Sequence, residues 1–166
     1  MARATDGTLG IATFPNTGLP ENQGIVLTLS GFGNNPAYVH PSFNKGRTAV
    51  HEAGHFFYAR HIWGDGGGCQ SDFPAVAGLA GFVDDTPTQS GATSGCPSGV
   101  VAAGCGSPNP PGKMYQNYMD YTDDACYCLF TLNQVARMEA ALTLFRSNLL
   151  TSNGCQPRRR CPMTSP

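Results

Sequence analysis

The chain has 166 residues, a net charge of −1 and only 13% charged side chains. That length suits one domain with its own core, and the charge balance argues against nucleic acid or a membrane surface as partner. No apolar run approaches the ~18 residues that a bilayer-spanning helix needs. The seven cysteines fit an oxidising, extracellular compartment. They lack the paired Cys-x-x-Cys knuckles of a structural zinc module, and their odd number leaves at least one unpaired or intermolecular. Residues 1–7 carry no apolar stretch of signal-peptide length.

In chain order, residues 8–14 read as a short strand ended by Pro15. Residues 24–30 read as a second, with Ile25, Leu27 and Leu29 alternating against Val26 and Thr28. Residues 31–46 are rich in Gly, Asn and Pro and read as loop.

Residues 45–57 read as a helix, and it carries the most informative pattern in the chain. His51, Glu52 and His55 are followed by His61, so three of the four histidines and one of the three glutamates fall within eleven residues. On a helix His51 and His55 share a face and can present two imidazoles to one metal. Glu52, at the edge of that face, can reach a metal-bound water without being a ligand. Three protein ligands with an open fourth position are the catalytic zinc pattern. A neighbouring carboxylate then serves as general base for attack on a peptide carbonyl. For His61 to join, the helix must end near Phe57 and the chain turn back. In the pattern H-E-x-x-H-x-x-G-x-x-H that turn is made at glycine. Tyr58 stands there in this chain, at a cost of about 1–2 kcal/mol if it is left-handed.

Residues 64–112 hold twelve of the 21 glycines, six of the 13 prolines and three cysteines, and show no helical period. A stapled, ordered loop region is expected. Thr131 and Gln134 have the spacing of a capping box. Leu132, Val135, Met138, Leu142, Phe145 and Leu149 recur at helical steps beyond it, predicting an amphipathic helix that packs behind the first and closes near Gly154. The expected organisation is one catalytic domain over residues 1–154 and a Cys/Arg/Pro tail over 155–166, with Arg158, Arg159 and Arg160 solvated.

Four stretches resemble the metzincin metallopeptidases, and within them the pappalysin group, peptidase family M43 with its cytophagalysin- and ulilysin-type members. They are Gly46 to Val50 running into the histidines; His61-Ile62-Trp63-Gly64-Asp65 with Gly67-Gly68-Cys69; Val83-Asp84-Asp85-Thr86-Pro87; and Asn117 to Cys126 with Phe130-Thr131. The resemblance implies an α+β, zincin-like catalytic domain: a small twisted mixed sheet, an active-site helix, a C-terminal helix and a loop-rich lower part. It implies zinc on His51, His55 and His61, with Glu52 as general base. Met119 would be the Met-turn residue beneath the metal, and Tyr121 would lie near the metal to stabilise the oxyanion. It also implies disulfides Cys69–Cys105 and Cys96–Cys126, leaving Cys128, Cys155 and Cys161. Asp72, Asp84 and Asp85 become candidate calcium ligands. The strand at 24–30 would be the sheet edge above the cleft, where an extended peptide substrate could pair. The resemblance further implies that the first strands and a helix of such catalytic domains, and an inhibitory propeptide, are absent here, so that the expected domain over residues 1–154 is partial at its N-terminus. A monomeric, secreted zinc endopeptidase is the expected function. The alternatives are a zinc-binding fragment without catalysis and a disulfide-stapled interaction module.

Overall fold

The computed structural model describes residues 7–70, 83–106 and 112–152. Its regular elements are strand β1 (Gly10–Ala12), strand β2 (Ile25–Leu27), helix α1 (Arg47–Phe56) and helix α2 (Leu132–Phe145), with short 3₁₀ turns between and after them. The strands pair antiparallel, Gly10 opposite Leu27 and Ala12 opposite Ile25. Both are shorter than their apolar alternation predicts. The ladder gains one flanking bond at each end, Thr13 N to Gly24 O and Thr28 N to Leu9 O, and then the chain turns away through Pro15.

Helix α1 has no side-chain cap of its own. Gly46 stands at its N-cap with a left-handed backbone. The cap arrives from far along the sequence, where the buried carboxylate of Asp124 accepts from Lys45 N at 2.7 Å and Arg47 N at 3.2 Å. A carboxylate there satisfies orphan donors and favours the positive end of the helix dipole. At the other end, Tyr58 N donates to His55 O and Ala59 N to Gly54 O. This is the Schellman closure, made with Tyr58 at φ 78°. The tyrosine ring lies edge-on to Phe14 and near Phe145, which offsets part of the backbone cost.

Thr131 opens α2 through the predicted capping box. The helix differs from its apolar pattern in two respects. Its buried face is Gln134, Arg137 and Ala141, while Leu132 and Val135 are exposed. Gln134 is drawn inward because its amide exchanges two hydrogen bonds with Asn117 and also holds the Thr131 N–H. The helix also stops at Phe145, leaving Leu149 in a 3₁₀ turn (Ser147–Leu149). Arg146 leaves the helical path to bond Phe56 O, Thr13 O and Gln23 Oε1, and its guanidinium covers the Phe56 ring. Those contacts clamp the end of α1 to the strand pair.

The core beneath α1 is Ala59, Ile62 and Met119, with Trp63, Met114, Phe130 and Met138 packed around it. Cys69 bonds Cys105, and Cys96 bonds Cys126. Cys128 is a free, exposed thiol, while Cys155, Cys161 and the tail lie outside the described residues. Among the described residues no helix is long and apolar enough to cross a membrane.

Candidate active site

The early end of α1 is what makes the site. Because the chain reverses at Tyr58, His61 returns to the face that bears His51 and His55. One ring nitrogen of each of the three histidines lies within 4.8 Å of the others. His55 Nε2 and His61 Nε2 are 3.1 Å apart. The Nδ1 atoms are already engaged: His51 with Tyr118 O at 2.6 Å, His55 with Ala59 O at 2.8 Å, and His61 with Asp65 Oδ1 at 2.5 Å. With Nδ1–H donating to these oxygens, all three Nε2 lone pairs converge. Three imidazoles crowded this way fit a borderline-soft dication such as zinc. Burial and the neighbouring imidazoles push His51 down to about 3 and His55 to about 4, so both stay unprotonated at neutral pH.

Glu52 is buried beside the triad, and burial pushes its carboxyl up to about 7. Tyr121 is half exposed across the cleft, its ring centroid 5.5 Å from that of His51 and 4.8 Å from that of His61. Burial also raises its phenol above the ordinary value, so the hydroxyl remains a donor. A cleft of about 640 Å³ runs over these groups, lined by His51, Glu52, His55, Tyr121, Tyr127 and residues 7–12. The strand beside the cleft is therefore β1. The expectation that the 24–30 strand forms this edge is corrected, since β2 pairs with β1 and does not line the cleft.

Met119 is fully buried under the histidines, and its turn is wired to them. Tyr118 O accepts from His51, Met119 O accepts from Ile62 N, and Asn117 Oδ1 fixes the Met119 N–H. Of the candidate calcium ligands, Asp72 lies outside the described residues. Asp84 and Asp85 direct their carboxylates to the side chain and N–H of Asn133, in the first turn of α2.

Several contributors escaped the sequence reading. Asp65 orients His61, and the hydrogen bond from His61 holds its carboxyl below the usual range. Its four-residue offset from His61 was the available signal. Trp63 stacks on His61 at 4.4 Å with the rings nearly parallel. Asp124 gave no signal, because its partners are 77 and 79 residues away.

Residues 2–143 match the family profile described as pregnancy-associated plasma protein-A, peptidase family M43. An extracellular metalloprotease of Pyricularia oryzae is 40% identical over 142 residues, covering 85% of this chain and 46% of that protein. One from Arthroderma benhamiae is 35% identical over 145 residues, covering 86% and 45%. Among solved structures, Tannerella forsythia mature mirolysin in complex with a cleaved peptide superposes with a TM-score of 0.65 at 38% identity, covering 89% of this chain and 55% of that one. The chain thus spans about half the length of the curated relatives it matches. The family match along most of the chain and the shared fold establish that this chain belongs to the pappalysin-like metzincin metallopeptidases of family M43.

Proposed function

We propose that this chain is the catalytic part of a secreted zinc-dependent endopeptidase, with His51, His55 and His61 as the zinc ligands. The observation that carries the reading is the convergence of three imidazole nitrogens, with His51 and His55 lining the cleft beside the buried Glu52 carboxylate. A zinc ion held by His51, His55 and His61 would supply Lewis-acid polarisation of a scissile carbonyl and of the attacking water. Glu52 takes the proton from the attacking water and then delivers it to the leaving nitrogen. Tyr121 donates a hydrogen bond from its hydroxyl to the oxyanion that develops on the carbonyl oxygen. Met119 and its turn keep His51 oriented through Tyr118 O. The free side of β1 faces the cleft and offers main-chain groups to an extended peptide. The cleaved peptide in the mirolysin complex supports a peptide as occupant. The names of the relatives support an extracellular setting, as do the two disulfides.

Hydrolysis of an unfolded protein by the parent chain and by Glu52→Gln, each with its zinc content measured, tests the reading. We expect both to bind one zinc. The variant should lose on the order of 10²–10⁴ in rate, the range for removal of a general base. Equal activity would refute the role of Glu52. Zinc binding without hydrolysis by either chain would favour a non-catalytic zinc module.

A further inference from the structure

We infer that Gly10 is a positioning residue for Glu52: the missing side chain in β1 is what lets the carboxylate lie against the strand and beside the histidines. A Cβ built on Gly10 would stand 2.7 Å from Glu52 Cγ and 3.0 Å from Glu52 Oε1. Glu52 is buried, with only 6% of its surface exposed. The strand is also held from behind, because Gly10 pairs with Leu27 and the same Cβ would meet Leu27 Cδ2 at 3.0 Å. The backbone at Gly10 is ordinary strand, so its glycine is not explained by a left-handed conformation. Close approach of the helix-borne glutamate is the remaining physical reason for it.

The contact sets the width of the cleft at its base. To reach ordinary contact at 3.4 Å, the Glu52 methylene must retreat by about 0.7 Å from any side chain at position 10. A displacement near 1 Å in a reacting group costs up to roughly 100-fold in rate. The three atoms nearest that Cβ belong to Glu52 and Leu27 and none to a histidine, so metal binding should be spared. The kinetic part of this inference rests on Glu52 being the general base, whereas the steric part does not.

The test is a double-mutant cycle in the full 166-residue chain, read both as thermal stability without metal and as kinetics with zinc. Gly10→Ala is expected to lower the melting temperature in the parent. In a Glu52→Ala background, which removes both crowding atoms, the same change should cost markedly less. If Gly10→Ala does not fold alone, restoration of folding by Glu52→Ala is the expected result. An equal loss in both backgrounds, or failure of that rescue, would overturn the inference by assigning the crowding to Leu27. With zinc loaded, Gly10→Ala should lower kcat by roughly 10- to 100-fold. The fall in kcat should exceed any change in KM, with zinc content still one per chain, because the crowded group is Glu52 and the main-chain groups of β1 are retained. Unchanged kcat in a folded Gly10→Ala chain would overturn it. Retained activity in Glu52→Gln would instead defeat the general-base reading and leave the steric cycle standing.

Discussion

Gly54 sits inside α1 between two histidines, and the effect of replacing it by alanine has a sign that the structure reverses. Helix propensity alone predicts that Gly54→Ala stabilises the protein by about 0.5–1 kcal/mol. The packing predicts otherwise: the new Cβ would lie 2.4 Å from Met119 Sδ and 3.3 Å from Phe130 Cε1. Met119 is fully buried among Ala59, Ile62, Phe130 and Met138, so its thioether cannot step aside cheaply. Overpacking of this kind costs about 1–3 kcal/mol. The net expectation is a loss of about 0.5–2 kcal/mol, or a fall of roughly 1–8 °C in melting temperature for a chain of this size. A displaced Met119 also disturbs Tyr118 O and Met119 O, which hold His51 and Ile62. Zinc affinity, read by competition with a chelator, should therefore drop as well. Thermal unfolding of the metal-free and zinc-loaded forms supplies the first number. Met119→Ala supplies the control, because Gly54→Ala should be better tolerated beside the smaller side chain. A rise in the metal-free melting temperature of the size that helix propensity predicts would refute the packing argument.

Asp65→Ala should weaken zinc by about 10–100-fold, the range for loss of a carboxylate that orients a ligating histidine, in the same chelator competition; undiminished affinity would deny Asp65 that role. Asp124→Ala removes the cap of α1 and leaves two amide donors without their carboxylate, so a loss of about 0.5–2 kcal/mol is expected in denaturant unfolding. Acid should destabilise the metal-free protein through His51 and His55. The unfolded chain takes up these protons near 6.5, whereas the folded chain resists until about 3 and 4. Between those values the unfolded state binds more protons, so stability falls as pH falls. Glu52 acts oppositely, since its raised folded value makes this contribution decline as pH rises from 4.5 through about 7. Unfolding free energies between pH 4 and 7.5, with and without His51→Ala, check the sign, and a flat difference would contradict it.

Much of the chemistry was legible in residues close in sequence. His51, Glu52 and His55 occupy two adjacent helical turns, where spacing alone dictates which side chains can meet. The capping box at Thr131 and Gln134 is legible for the same reason. Family resemblance anticipated both disulfides, which the structure contains, and it singled out Met119 and Tyr121, which lie in the core under α1 and in the cleft lining. What escaped depends on partners distant in the chain. The apolar steps of α2 suggested an inward Leu132 and Val135, but Asn117, and Arg146's acceptors Phe56 O in α1 and Thr13 O just past β1, decide which face turns in. Two strands of similar alternation could not reveal which borders the cleft, because alternation records burial and says nothing of neighbours. Local spacing thus put His51 and His55 on one helix face with Glu52 at its edge, since one or two helical turns leave little geometric freedom. The return of His61 past a left-handed Tyr58, the cap lent by Asp124 and the fit of Glu52 against a bare Gly10 were decided only by tertiary structure, because each is a contact between segments that the chain's order does not relate.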